Sequence, residues 1–167
     1  GVFAECVPDP TTDSVYAALA QLREGDYDSI VALGGGSSLD TGKAVAVLAR
    51  HGGLMRDYKV PRQVPSGLPV IAIPTTAGTG SEVTRFTIIT DETTDEKLLC
   101  AGMGFMPVAA LIDYKLTLSL PARTTADTGI DALTHAIEAY VSRKANPYSD
   151  SQALAAMAYL GPNLIKA

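Results

Sequence analysis

The sequence predicts an α/β fold, with a parallel sheet and packed helices over residues 1–120 and the start of an all-helical domain over 121–167. Three observations carry that prediction. Two continuous apolar runs, DSIVAL at 28–33 and LPVIAIP at 68–74, have the character of strands buried in a parallel sheet rather than the alternation of a strand half in water. Strand and helix patterns then alternate along the chain, which calls for parallel strands joined by right-handed crossovers. After Pro121 the strand patterns stop, and alanine-rich helical patterns fill 124–143 and 148–160.

In chain order, VFAECV at 2–7 reads as a short strand and PDPTT as a turn and helix start. Residues 13–23 carry Val15, Ala18, Leu19 and Leu22 at helical spacing, and Gly25 ends that helix. The run at 28–33 is followed by GGGSS, then by a second helix from Leu39 to Arg50 that His51-Gly52-Gly53 closes. Residues 54–67 are polar and marked by Pro and Gly, hence a loop. The run at 68–74 leads into TTAGTGSE. TRFTIIT at 84–90 and KLLCA at 97–101 flank DETTDE and read as a hairpin, and PVAALID at 107–113 is one more strand.

Composition narrows the function classes. The chain is 47% hydrophobic and 19% charged, a globular balance, and its net charge of −5 with no basic stripe argues against nucleic acid and anionic membrane as partners. No apolar run approaches the ~20 residues of a membrane span, and no secretory leader pattern opens the sequence. Cys6 and Cys100 sit in no motif and read as reduced thiols of a cytoplasmic protein.

Three stretches carry chemistry. The first is GGGSSLD at 34–40, where glycines follow a buried strand and precede a helix. In an open α/β sheet, ligands bind at the carboxyl ends of the strands. A glycine run admits a phosphate close to the backbone, and a helix N-terminus offers free N–H groups. Ser37 and Asp40 are spaced like a capping box. Neither the dinucleotide fingerprint nor the P-loop fits, because Leu39 stands where a third Gly belongs and Ala44 follows Lys43. A tight turn without a ligand is the alternative. The second stretch, PTTAGTGSE at 74–82, carries the hydroxyls of Thr75, Thr76, Thr79 and Ser81. Beside the first it would make a polar cleft suited to a phosphorylated nucleotide; alone it is a solvated loop. The third is GIDALTHAIEAY at 129–140. A helical wheel gives an apolar face (Ile130, Leu133, Ile137, Tyr140, Val141), a small face of alanines, and a stripe of Asp131, His135 and Glu138 between them. A helix apolar on nearly all sides is expected to be buried. Asp131 and His135, four apart, can chelate one Zn²⁺ or Fe²⁺, or form a hydrogen bond. A metal site needs three or four ligands, and His51 at its helix end is better explained as a cap.

GGGSSLDTGK, PTTAGTGSE and TGIDALTHAIEAY, in that order and with PDPT, LID and LPAR beside them, resemble the iron-dependent alcohol dehydrogenase family over nearly the whole chain. The resemblance implies a dehydroquinate synthase-like fold, a nucleotide domain followed by a helical metal-binding domain, and an active site in the cleft between. It implies NAD or NADP and a divalent metal, with Fe²⁺ favoured over Zn²⁺, and an alcohol or aldehyde substrate. Gly35, Gly36 and Ser37 would hold the pyrophosphate, with Asp40 near the nicotinamide side. Thr75, Thr76 and Thr79 would line the adenine and ribose region. Lys97 would reach the nicotinamide ribose, and Asp9 would lie near the adenosine ribose. Asp131 and His135 would be the first two metal ligands, acting in catalysis through the metal; no general base is identified. The family is more than twice this long. The expectation is therefore a piece of a longer enzyme, lacking the first strand and the later histidine ligands, inactive alone and a homo-oligomer at full length. Metal-dependent glycerol dehydrogenases, dehydroquinate synthase-like enzymes and a non-catalytic nucleotide-binding module are the alternatives.

Overall fold

The computed structural model describes residues 1–167. By internal packing the chain divides into two units, one of residues 1–75 and 81–113, the other of residues 76–80 and 114–167.

In the first unit, α1 (Thr12–Arg23) starts where Thr11 accepts a hydrogen bond from the Ser14 N–H, an ordinary N-cap. Then come β1 (Ile30–Gly34), α2 (Gly36–His51) and β2 (Val70–Pro74). Strands β1 and β2 pair in parallel, with Ile30 opposite Val70 and Gly34 opposite Pro74. A two-residue β5 (Ala109–Ala110) joins the far side of β2, giving the order β1-β2-β5. The hairpin β3 (Phe86–Asp91) and β4 (Glu96–Ala101) forms a separate antiparallel pair.

Helix α2 lies at the centre of the unit. On one side Leu39 and Ala46 pack with Ala32, Val70 and Ala72 of the parallel sheet. On the other, Val45, Val47 and Leu48 join Val15 and Leu19 of α1, Ile89 and Leu98 of the hairpin, and Met55, Tyr58 and Phe105. This explains why 54–67 is not merely a polar loop. Met55 and Tyr58 form a short 3-10 turn that plugs the core, Val64 is buried, and Tyr58 donates to the Gly52 carbonyl at 2.6 Å.

Three sequence expectations for this unit are corrected. VFAECV forms no strand; its carbonyls are taken by side chains of α1, Gln21 donating to Val2 O at 2.9 Å and Ser14 to Glu5 O at 3.4 Å, so no ladder is made. Strand β1 is buried on one face only, since Val31 and Leu33 are exposed and no element of the chain covers them. The strand expected at 107–113 shrinks to two residues, although Val108 and Leu111 extend the contact by donating to Val70 O and Ala72 O.

The second unit is a helical hairpin of α3 (Ala122–Val141) and α4 (Pro147–Leu164). Asn146 caps α4 through the Tyr148 and Ser149 N–H groups, and Pro147 occupies the first helical position, where a missing N–H costs nothing. The helices meet along small residues. Ala136 and Ala153 are buried, and a Cβ on Gly129 would stand 2.3 Å from Leu164 Cδ1, so a larger residue there would displace the Leu164 side chain. The expected burial of α3 is corrected: Ile130, Ile137, Tyr140 and Val141 are exposed. No helix is long and apolar enough to cross a membrane.

Candidate functional site

The glycine turn joins β1 to α2. Gly34 has φ of +147° and passes its carbonyl to the Thr75 N–H at 2.9 Å, tying the first residue of the second loop to the turn. Gly35 is the N-cap of α2, and Gly36 and Ser37 open the helix. No side chain caps that end. The N–H groups of Gly36, Ser37 and Ser38 precede the first intrahelical bond, which Leu39 makes to Gly35 O at 3.1 Å. These are the donors a helix start offers to an anion. The capping-box expectation is corrected: Ser37 is already inside the helix, and Asp40 is engaged elsewhere.

Asp40 accepts from Ser81 Oγ at 2.5 Å, from Lys43 Nζ at 3.5 Å and, on its other oxygen, from the Ile88 N–H at 2.9 Å. Lys43 is fully buried, with its ammonium also on Ser81 O and Ser81 Oγ, both at 2.9 Å, and on Thr84 Oγ1 at 3.3 Å. Burial pushes the Lys43 ammonium below its ordinary pKa, while the neighbouring Asp40 charge and then its hydrogen bond oppose that shift. Sequence reasoning gave Lys43 no role. The available signal was a D-x-x-K spacing on the helix that follows a glycine turn.

Asp9 and Lys97 come together. Asp9 has φ of +50°, a left-handed conformation that Asp tolerates, and Thr90 N–H donating to Pro10 O at 2.8 Å holds its turn against β3. Lys97 Nζ stands 3.4 Å from Asp9 Oδ1, with both side chains largely in water. The two residues assigned to different riboses are thus neighbours.

Thr76 and Thr79 belong to the second unit, where their loop runs along α3: a Cβ on Gly78 would meet the Thr128 carbonyl at 2.4 Å. In α3, Asp131 Oδ1 and His135 Nε2 are 3.6 Å apart, with side chains 43% and 51% exposed. Two donors each ~2.1 Å from one cation stand about 3.0–3.4 Å apart, so the pair needs only a small adjustment to chelate. A carboxylate oxygen and an imidazole nitrogen are also the donor set that Fe²⁺ or Zn²⁺ accepts. No third His, Cys, Asp or Glu side chain joins them to form a larger metal-binding group. His51 is engaged elsewhere, its Nε2 2.7 Å from Ser66 O. A groove of about 560 Å³ along β1, walled by Phe3, Leu22 and Val31, contains none of the candidate residues. Both cysteines are free thiols.

The glycine turn and the donor-rich helix start suit an anionic ligand, and the paired donors on α3 suit a divalent cation. Residues 1–114 match the iron-containing alcohol dehydrogenase family, and residues 125–167 match the C-terminal region of the Fe-containing alcohol dehydrogenase family. The chain belongs to the iron-containing alcohol dehydrogenase family. It is 46% identical over 162 residues to a probable alcohol dehydrogenase EutG of Escherichia coli (strain K12), covering 96% of this chain and 41% of that protein. It is 40% identical over 167 residues to an NAD-dependent methanol dehydrogenase of Bacillus methanolicus, covering 99% and 44%. A solved iron-containing alcohol dehydrogenase from Thermotoga maritima superposes with a TM-score of 0.92 at 43% identity, covering 99% of this chain and 46% of that one. The chain therefore spans less than half the length of these relatives.

Proposed function

We propose that this chain supplies the nucleotide-binding elements and half of the metal-binding set of an alcohol–aldehyde oxidoreductase that uses NAD or NADP. The division of labour follows residues 1–120 and 121–167. The observation that carries the reading is the half-exposed Asp131–His135 pair in a chain of this family, poised on one helix face with donors of the right chemistry. When bound, a divalent cation, Fe²⁺ in this proposal, supplies Lewis acidity toward an oxygen substrate, and the nicotinamide supplies the hydride chemistry.

The chain's own residues bind and orient. Gly35, Gly36 and Ser37 offer backbone N–H groups to the pyrophosphate, where the helix dipole favours its charge. Thr75, Thr76 and Thr79 present hydroxyls to the adenine and ribose region. Asp40, already satisfied by protein donors, shapes the nicotinamide side rather than moving a proton. The contact between Lys97 and Asp9 supports their acting at one ribose, the ammonium donating and the carboxylate accepting from its hydroxyls. Asp131 and His135 hold the cation. A cytoplasmic enzyme that assembles as a homo-oligomer completes the proposal, the free thiols supporting the first of these.

The test is a fluorescence titration of the 167-residue chain with NADH and NADPH, beside alcohol oxidation by the whole enzyme with butanol. The reading expects one nucleotide to bind the chain and turnover only in the whole enzyme. Tight, stoichiometric metal binding by the chain and the whole enzyme alike would contradict the two-donor account.

A further inference from the structure

Lys43 is the largest fully buried side chain of the molecule and carries a charge into the core. An ammonium out of water is costly unless its hydrogens are met. Here they are met by residues far along the chain: both Ser81 oxygens, the Thr84 hydroxyl and, one turn away on α2, Asp40. Asp40 then closes a ring, because Ser81 Oγ donates to the same oxygen that Lys43 faces. Ser81 is where the chain re-enters the first unit after residues 76–80, and Thr75, where it leaves, is bound to Gly34. Both ends of the second loop are therefore fastened to the glycine turn and its helix, one by a backbone bond and the other by Lys43. A methionine or leucine at position 43 would fill the same volume without this attachment. An aliphatic residue is also what the packing around Ala44, Val45, Ala46, Val47 and Leu48 would favour.

We propose that Lys43 is a positioning residue for cofactor binding: it clasps the Ser81–Thr84 segment onto α2 through Ser81, Thr84 and Asp40, and so fixes the end of the second loop relative to the helix that receives the pyrophosphate. The inference rests on the nucleotide-binding reading above. Lys43 touches no ligand itself, so its effect is on affinity and loop order.

The experiment compares wild type, Lys43→Met, Ser81→Ala, Thr84→Val and the Lys43→Met/Ser81→Ala pair. The readouts are NADH affinity by fluorescence, amide hydrogen exchange at residues 81–84, and the melting temperature. Lys43→Met is expected to weaken NADH binding about tenfold and to speed exchange at residues 81–84 while distant core amides hold. The double variant should be no weaker than Lys43→Met, because coupled members of one network are not additive. In the whole enzyme, KM for the cofactor should rise about tenfold with kcat within about twofold. Unchanged NADH affinity in a folded Lys43→Met, or effects that multiply in the double variant, would overturn the inference and leave the nucleotide reading intact. If Lys43→Met does not fold, Ser81→Ala and Thr84→Val decide: normal exchange at residues 81–84 with normal affinity in both overturns the clasp. A wild-type chain that takes up neither NADH nor NADPH overturns the reading itself and the role built on it.

Discussion

Replacing Gly34 by alanine probes the junction on which the nucleotide-binding end depends. Two costs can be worked from the structure. Gly34 has φ of +147°, a conformation that an L side chain rarely adopts, and residues forced into such regions cost of order 1–3 kcal/mol. The new Cβ would also stand 2.5 Å from Ser38 Oγ and 2.7 Å from Ser38 Cβ, inside any real contact distance. Overpacking of that kind costs roughly 1–3 kcal/mol. Allowing the turn to relieve part of both gives about 2–4 kcal/mol. At about 2–4 °C per kcal/mol for a chain of this size, the melting temperature should fall by about 4–16 °C. Thermal unfolding followed by circular dichroism measures it. A second variant separates the terms: adding Ser38→Gly removes the clash and leaves the backbone strain, so it should restore part of the loss and not all of it. A Gly34→Ala protein that melts within about 2 °C of wild type would exclude both costs, and no recovery in the double variant would exclude the steric one.

Further predictions follow from the buried groups. Burial pushes the Cys100 thiol up to about 12, while Cys6 is only half-buried, so a thiol reagent near neutral pH should label one cysteine in the native chain and two after unfolding. Rapid labelling of both in the native chain would contradict the core assignment. Asp91 accepts from the Thr93 hydroxyl at 2.6 Å, the Thr93 N–H at 3.0 Å and Arg56 at 2.5 Å, and the Thr93 hydroxyl leads in holding its carboxyl below the ordinary range. Its contribution is complete above the unfolded carboxylate pKa of about 4 and is lost as pH falls through the lower folded value. Urea midpoints measured downward in pH should therefore drop more steeply for wild type than for Asp91→Asn, and parallel curves would exclude the linkage.

Local signals in the sequence were enough for most elements. The apolar runs marked β1 and β2, DETTDE between two β-rich stretches marked the hairpin, and alanine-rich periodicity marked α3 and α4. What escaped depends on distant partners. VFAECV has strand composition, yet its backbone is met by Gln21 and Ser14, which no local pattern encodes. The continuous apolar run of β1 and the periodic apolar face of α3 led to the expectation of burial, but neither pattern says whether anything covers it, and Val31, Leu33, Ile137 and Tyr140 are exposed. Ser37 and Asp40 have capping-box spacing, but Asp40 finds Ser81 and Ile88 some forty residues away. Lys43 was hidden for the same reason: a lysine in a helix reads as a solvated charge until the chain that buries it is known. At the candidate site, the motifs named the residues, while the contact between Asp9 and Lys97 and the geometry of Asp131 and His135 came only from the fold.

Asp131 and His135 are proposed to hold the cation, and the nucleotide is proposed to bind at Gly35, Gly36, Ser37 and the loop of residues 75–79, none of which lies on α3. The most direct measurement is Asp131→Ala in the whole enzyme, with butanol oxidation and NADH binding read on the same preparation. Turnover should be lost while nucleotide affinity stays within about twofold of wild type, because the substituted carboxylate is not among the proposed nucleotide-binding residues. Retained turnover in that variant, or loss of nucleotide binding together with activity, would contradict the proposal.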